Sequence, residues 1–461
     1  MTAKQPPRLP MALRPAAVPP PVLGVLRRLS EAGHRAWLVG GVVRDLLLAR
    51  TRHDPGEFDV ASPATPEEVQ GLFRRVIPTG IDHGTVTVVE GGARVEVTTF
   101  RGEEGYVDGR RPSRVTFHGD LDADLARRDF TVNAMAWDPL GHELRDPHGG
   151  RADLARKVIR AVGDPRERFA EDGLRPLRGV RFVSQLGFRL APSTRDAIPG
   201  ALPVVALVSR ERVAEELTRL LVGPHAARGI AALSATGLLP VVLPGLAAMP
   251  AGRVRHALSV ASERFAPGRG ARTEDDRERL RLLRMAALLH VLPPGEAMRA
   301  VVELRLPNRL ATGVVALSGE SCALDENGPP EGKGGAAGTR RWLSSVGRER
   351  APLFLDLWRA DARHQGARTA TRVAEVRRFR ARVLAELASG APLSVAELAL
   401  GGEDVLALLP GVSGRDVGEA LRFLLDEVLE TPSANTKARL SARLHAWWGA
   451  RAAERQGHGT S

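Results

Sequence analysis

Hydrophobic periodicity changes near Asp164, and that change constrains the fold more than any other feature of the chain. Before it, short apolar runs alternate with polar residues between glycine turns; after it, apolar residues recur every three or four positions. Val22, Leu23, Val25, Leu26 and Leu29 fall at helical spacing, Ala36 to Val39 reads as a strand entering Gly40-Gly41, and a helix follows near Val42. Glu57 to Ala61 reads as a strand, and Thr65 to Phe73 as a helix with Pro66 in its first turn. Thr85 to Val89 and Arg94 to Phe100 read as strands joined at Gly91-Gly92. Gly102 to Gly119 has no clear period and reads as a mobile loop. Further on, Arg212 to Leu221, Glu278 to His290 and Thr371 to Leu387 read as amphipathic helices.

The expected fold is therefore α+β: a head with a small mixed β-sheet, followed by all-helical neck, body and tail. At 461 residues the chain exceeds one ordinary core. The expected segments are a proline-rich disordered leader over 1–21, a head over 22–150 and a neck over 151–222. A body follows over 223–390, with a glycine-rich linker at 325–338, and then a tail over 391–461.

Lys and Arg total 66 against 54 Asp and Glu, a formal net charge of +12. That balance suits a polyanionic partner such as nucleic acid, although an arginine-rich composition alone produces it too. Cys322 is the single cysteine, which excludes a disulfide framework or a thiolate zinc site within one chain. A cytoplasmic location is the expectation, with no membrane association, since no apolar run reaches membrane-spanning length.

Glu57 and Asp59 stand two apart in a strand, so both carboxylates point to one face. In the segment RVEVTTF, Val95 and Val97 face a core while Glu96 and Thr98 face away, so a neighbouring strand can add a third carboxylate. Such a cluster suits two divalent cations in phosphoryl transfer, and oxygen ligands favour magnesium or manganese. Upstream, the Gly40-Gly41 turn brings bare backbone amides and a helix N-terminus toward an anion. Asp172 and Arg175, three apart, would share a helix face, with Arg178 extending it. A carboxylate only accepts and a guanidinium only donates, so the fork fits a base edge with an amino donor beside a ring-nitrogen acceptor. Cytosine and adenine present that edge. Guanine and uracil do not, at roughly 1–3 kcal/mol per buried unsatisfied group. Pro176 disturbs a helix interior, so either the helix begins later than Asp172 or it is kinked there.

LVGGVVRD, the pair Glu57/Asp59, RRDFTVNAMAW (Arg127 to Trp137) and EDGLRPLRGVRF (Glu171 to Phe182) follow in that order. The set resembles the class II CCA-adding enzymes and bacterial poly(A) polymerases of the polymerase-beta-like nucleotidyltransferase superfamily. It covers Val22 to Leu221 with specific motifs and continues more loosely to Leu444. The resemblance implies triphosphate binding at Gly40, Gly41, Arg44 and Asp45, metal binding at Glu57 and Asp59, and Glu96 as third carboxylate. It implies ribose and triphosphate contacts at Arg127, Arg128 and Asp129, with Asn133 in the same motif. Asp172, Arg175 and Arg178 would select CTP and ATP without a template. Glu57 stands where the family has Asp, which keeps the charge and lengthens the reach by one methylene.

PTGIDHGTVTVV, with Gly84 and Thr85 assigned to the nucleotide, resembles the CCA-adding pattern more than the arginine-rich segment of poly(A) polymerases. A poly(A) polymerase, or a specialist adding only CC or only A, remains compatible with the motifs. So does a non-catalytic RNA-binding relative, given Glu57 and Pro176. The implied partners are a tRNA 3′ end with CTP and ATP as substrates, and no obligate protein partner is inferred. Some relatives carry a phosphohydrolase domain with a His-Asp dyad; here Val291 follows His290, so His290 reads as packing or capping and no phosphohydrolase activity is expected. Leu393 to Leu444 resembles the RNA-contacting tail of the family.

Overall fold

The computed structural model describes residues 13–49, 58–81, 84–107, 111–117, 120–265, 273–318, 335–409 and 412–457. Its helical and strand segments form two compact units. The first comprises residues 1–249 with 269–281 and 299–307, and the second 250–268, 282–298 and 308–461.

The first unit is built on a seven-stranded sheet. Its strands are β1 (Trp37–Val39), β2 (Phe58–Ser62), β3 (Val76–Gly80), β4 (Thr85–Glu90) and β5 (Ala93–Thr99), completed by β8 (Ala136–Asp138) and β9 (Glu143–Arg145). Their spatial order is β3-β4-β5-β2-β1-β8-β9, with β2 and β5 parallel and the other neighbours antiparallel. The expected mixed sheet is present. Phe58, Val60, Val95 and Val97 line one face with α1 (Pro20–Glu31) and α2 (Gly41–Leu47), whose Val22, Val25, Leu26, Leu29 and Val43 are fully buried against them. Apolar burial of this kind supplies the main favourable free energy of the unit. α3 (Pro66–Leu72) starts where Pro66 suggests, because Thr65 and Glu68 form a reciprocal capping box at its first turn.

The expectations for the leader, the loop and the linker need correction. Part of the leader is ordered: Leu13 and Val18 are buried in the head core, a short 3-10 turn covers Pro15–Ala17, and α1 begins at Pro20. Proline fits the first turn of a helix, where its missing N–H costs nothing. The segment expected as a loop holds a hairpin of β6 (Arg101–Val107) and β7 (Arg111–Phe117). A two-stranded ribbon is held by cross-strand backbone bonds, so it requires no alternating apolar signal. Of the linker, Gly335 to Gly338 belongs to a helix, and 325–334 lie outside the described residues.

The remainder of the first unit is mostly helical: α4 (Leu121–Ala126), α5 (Gly150–Arg156), α6 (Pro165–Glu171), α7 (Arg175–Leu186), α8 (Pro192–Ala206), α9 (Arg210–Leu221), α10 (Ala226–Ala235), α11 (Leu239–Val242) and α12 (Pro244–Ala247). A two-residue parallel pair, β10 (Val158–Ile159) with β11 (Arg189–Leu190), interrupts the expected all-helical neck.

Past α12 the helices are α13 (Ala251–Ala261), α14 (Glu274–Leu289), α15 (Pro294–Glu303), α16 (Asn308–Ser318), α17 (Gly335–Val346), α18 (Ala351–Ala362) and α19 (Thr369–Ser389). The chain ends in α20 (Gly402–Leu408), α21 (Gly414–Glu430) and α22 (Lys437–Gly457), which share a core around Val405, Leu424, Val428, Leu440 and Leu444. Trp342, Phe354, Trp358 and Phe379 pack edge-on or tilted at 5.0–6.0 Å in the second unit. His290 closes α14 by bonding the Ala287 carbonyl at 2.8 Å, which satisfies the capping expectation for one ring nitrogen; the other meets Asp361 of α18. Among the described residues no helix is long and apolar enough to cross a membrane.

Candidate active site

The sheet register sets the centre of the site. On adjacent parallel strands Asp59 stands opposite Glu96, and both are exposed while their flanking residues Phe58, Val60, Val95 and Val97 are buried. Period-2 alternation thus puts two carboxylates side by side on the polar face of the sheet. Glu57, the expected metal-ligand partner of Asp59, lies outside the described residues. Threonines continue the face: Thr87 is the antiparallel partner of Glu96, Thr79 bonds Thr87 at 3.0 Å, and Thr85 bonds Thr98 at 3.0 Å. Gly84, at φ +70°, leads into Thr85.

The glycine turn closes over this face. Gly40 sits at φ +72° and ψ −133°, a conformation that an L side chain resists, immediately before α2. A Cβ there would lie 3.0 Å from Arg128 Nη1 and 3.7 Å from Asp59 Oδ2. The absent side chain is what lets the turn, an arginine and a metal-ligand candidate approach each other. Gly41 opens α2, and one turn later Arg44 donates to both oxygens of Asp45 at 2.9 and 3.0 Å and to Asn133 Oδ1 at 2.7 Å.

Asn133 joins this cradle to the Arg-Arg-Asp motif by donating to Asp129 Oδ1 at 3.1 Å. The other Asp129 oxygen accepts from Arg178 at 2.8 and 2.6 Å. Burial opposes ionisation of Asp129, but the Arg178 charge and the hydrogen bonds from Asn133 and Arg178 outweigh it and hold the carboxyl at about 2. Asp129 reciprocally raises the Arg178 guanidinium, which Glu216 faces at 3.8 Å. The two arginines before Asp129 share one buried anchor: Arg127 donates to Asp124 at 2.7 and 3.1 Å, and Arg128 at 3.2 Å. Burial works against the charge on Asp124, yet the two arginines bring its pKa below the ordinary carboxylate value.

The expected base-reading fork has a different construction. Asp172 is not on the helix: it follows α6 in extended backbone, and α7 begins at Arg175 with Pro176 in its first turn. The later start removes the conflict that Pro176 posed, since its missing N–H falls among the unpaired donors of a helix start. Asp172 Oδ1 accepts the Leu174 N–H at 3.0 Å, and both its oxygens accept Arg212 at 3.2–3.3 Å. Arg175 instead donates to Glu171 at 2.5 Å, to the Arg168 carbonyl at 3.0 Å and to the Arg127 carbonyl at 3.0 Å. The last bond ties the start of α7 to the Arg-Arg-Asp motif. The two fork residues are therefore near in sequence without being paired on one helix face.

Asp124, Glu171, Arg212 and Glu216 were not picked out from the sequence as site residues. Asp124 had a readable signal, three and four positions before Arg127 and Arg128 in DADLARRD. Arg212 and Glu216 had none, because they reach the site only through the packing of α9 beside α7.

Comparison with known proteins agrees with this architecture. The family described as "Poly A polymerase head domain" matches residues 36–160, and "Probable RNA and SrmB- binding site of polymerase A" matches residues 187–249. A CCA-adding enzyme of Geobacillus stearothermophilus is 39% identical over 422 residues, 92% of this chain and 95% of that one. The CCA-adding enzyme of Lactobacillus delbrueckii subsp. bulgaricus is 50% identical over 223 residues, 48% of this chain and 55% of that one. Among solved structures, the Bacillus stearothermophilus CCA-adding enzyme in complex with CTP matches with a TM-score of 0.73 at 36% identity, covering 95% of this chain and all of that one. The Thermotoga maritima CCA-adding enzyme complexed with tRNA_CCA matches with a TM-score of 0.63 at 18% identity over 94% of this chain and 97% of that one, a likeness of fold alone.

Proposed function

The chain belongs to the family of the CCA-adding enzymes, and on that premise we propose how its residues add CMP and AMP to the 3′ end of tRNA from CTP and ATP. The observation that carries this reading is the cross-strand pair of Asp59 and Glu96 beside the Gly40 turn. Their all-oxygen donor set fits a hard divalent cation, magnesium or manganese, with Glu57 as a further ligand. Bound there, such cations would lower the pKa of the attacking 3′-hydroxyl and carry charge on the leaving pyrophosphate.

The remaining work falls to side chains and backbone. Gly40 and Gly41 let backbone amides approach the triphosphate at the start of α2. Arg128, beside Gly40, brings positive charge to the same place, and Asp124 holds it and Arg127 in position. Asp45, Arg44, Asn133, Asp129 and Arg178 form one continuous network, so the motif keeps its shape before a nucleotide arrives. Gly84 and Thr85 border the nucleotide on the sheet face.

Selection of the base is assigned to Asp172 and Arg175, with Arg178 ordering the face beside them. Asp172 accepts from an amino group and Arg175 donates to a ring nitrogen, an edge pattern shared by cytosine and adenine. Their present partners, Arg212 for Asp172 and Glu171 for Arg175, are charged groups that can hold them ready while the base is absent. Arg212 is thereby a positioning residue for Asp172. The helical segments beyond α9 are assigned to the acceptor arm of tRNA, gripped through phosphate charge and shape, consistent with the net charge of +12. A cytoplasmic location follows from that substrate.

The test is incorporation of each labelled triphosphate onto tRNA lacking its 3′ end, with the products sequenced. Products ending in CCA support the reading. CMP alone, AMP alone or a long A tail would identify a CC-adding, A-adding or poly(A)-forming specialist instead. tRNA binding without incorporation in magnesium or manganese would identify a non-catalytic relative.

A further inference from the structure

In the second unit, far along the chain from the carboxylates of the sheet, three other metal-ligating side chains meet. His256 on α13, His290 at the end of α14 and Asp361 on α18 bring one ligand atom each within 4.8 Å of one another. His256 Nε2 lies 2.5 Å and His290 Nε2 3.2 Å from the same oxygen, Asp361 Oδ1. The two rings stand 5.4 Å apart between centroids.

The other end of each group is already assigned. His290 Nδ1 lies 2.8 Å from the Ala287 carbonyl, and because a carbonyl only accepts, that nitrogen carries a proton. The His256 ring likewise bonds the backbone of His364. Asp361 Oδ2 accepts the Gln365 amide at 2.7 Å, which orients the carboxylate. With Nδ1 protonated, a neutral ring presents a bare lone pair at Nε2. Two such lone pairs then face a carboxylate oxygen that is also a lone-pair donor. A positive charge at the point of convergence resolves this, either as two extra protons held close together or as one dication. The dication satisfies all three donors at once, and the backbone and amide bonds behind them are the supports that metal-bound histidines and carboxylates commonly use.

We propose that His256, His290 and Asp361 form a site for a single divalent transition-metal ion of the zinc class, separate from the oxygen-ligand site of the head. Two imidazoles and one carboxylate favour zinc, cobalt, nickel or iron over magnesium or calcium. Val291 adds no fourth side-chain ligand, so water fills the open position. The side chains are 22%, 11% and 6% exposed for His256, His290 and Asp361, so the site is shielded yet reachable by an ion from solvent. Because the ligands come from α13, α14 and α18, up to 105 positions apart, the ion staples three helices whose sequence separation is large.

The experiment titrates the full chain with Co2+ in excess Mg2+, which keeps the oxygen-ligand site occupied, and reads the visible absorbance of bound cobalt with Zn2+ as competitor. One Co2+ per chain, displaced by Zn2+, with affinity lower by at least about tenfold in His290→Gln and in Asp361→Asn, is the expected result. A rise in thermal midpoint with Zn2+, lost in both variants, is the second expected readout. Absence of Mg2+-resistant Co2+ binding overturns the proposal, as does cobalt binding of equal strength in both variants when circular dichroism shows them folded.

Discussion

The head and the second unit each bring potential metal-ligating groups to a focus, and they do so by opposite routes. In the head, Asp59 and Glu96 meet because two parallel strands pair in register, and period-2 alternation sends both side chains to one face. In the second unit, His256, His290 and Asp361 meet because three helices pack, with no local repeat announcing it. The first cluster is all oxygen and sits on an exposed face; the second is rich in nitrogen and largely shielded. The contrast teaches that strand-built chemistry is written locally, whereas helix-built chemistry is written in long-range packing.

Substitutions that separate the two clusters break this comparison most sharply. Asp59→Ala is expected to lower nucleotide incorporation by at least about 10³-fold while leaving tRNA binding within a few-fold, as measured by single-turnover extension and filter binding. Retained incorporation in a folded Asp59→Ala chain would make the strand cluster no more catalytic than the helical one.

Next in size is base selection. Arg175→Ala is expected to reduce the preference for CTP and ATP over UTP and GTP by about 10²-fold, read as ratios of kcat/KM, because the mismatch cost of a charged fork is lost. Unchanged ratios with a lower overall rate would reduce Arg175 to a structural tie between α7 and the Arg127 carbonyl.

Gly40→Ala forces a side chain onto φ +72° with Arg128 Nη1 at 3.0 Å. A strain cost of about 1–3 kcal/mol or a displaced arginine follows, with incorporation lowered by roughly 10–10²-fold. Wild-type KM for CTP in this variant would show that the turn does not cradle the triphosphate.

A smaller effect sharpens the electrostatic side of the comparison. Asp129 has a folded pKa of about 2 against an ordinary value of 3.8, so its contribution is fully present above about pH 4 and is lost as pH falls toward 2. The size is about 2 kcal/mol, and unfolding titrations of the unsubstituted chain should lose that slope in Asp129→Asn. The smallest expected change is that of Glu57→Asp, which restores the family's residue and keeps the charge, and so alters incorporation by no more than about tenfold.

Much of the head was legible in the sequence because its signals are short-range. The strand around Asp59, the outward position of Glu96 in RVEVTTF and the Gly40 turn all follow from neighbours within a few residues. The fork was legible in its residues but not in its geometry. Spacing alone put Asp172 and Arg175 on one helix face, whereas the helix starts only at Arg175, with Pro176 in its first turn, and Asp172 before it bonds Arg212. Leu13 and Val18 were hidden in a proline-rich stretch whose composition mimics disorder, and β6 and β7 lack an alternating pattern. His290 looked like an isolated cap because its partners lie 71 residues downstream at Asp361 and on another helix at His256, beyond any spacing rule.

Non-additivity of the strand carboxylates is the most direct measurement of the central assignment. Single-turnover extension of tRNA lacking its 3′ end, in magnesium, should be slowed by at least about 10³-fold in Asp59→Ala and in Glu96→Ala, and no further in the double variant, because both ligands serve the same cations. Multiplying losses in the double variant, or near-normal extension in either single one, would contradict the assignment.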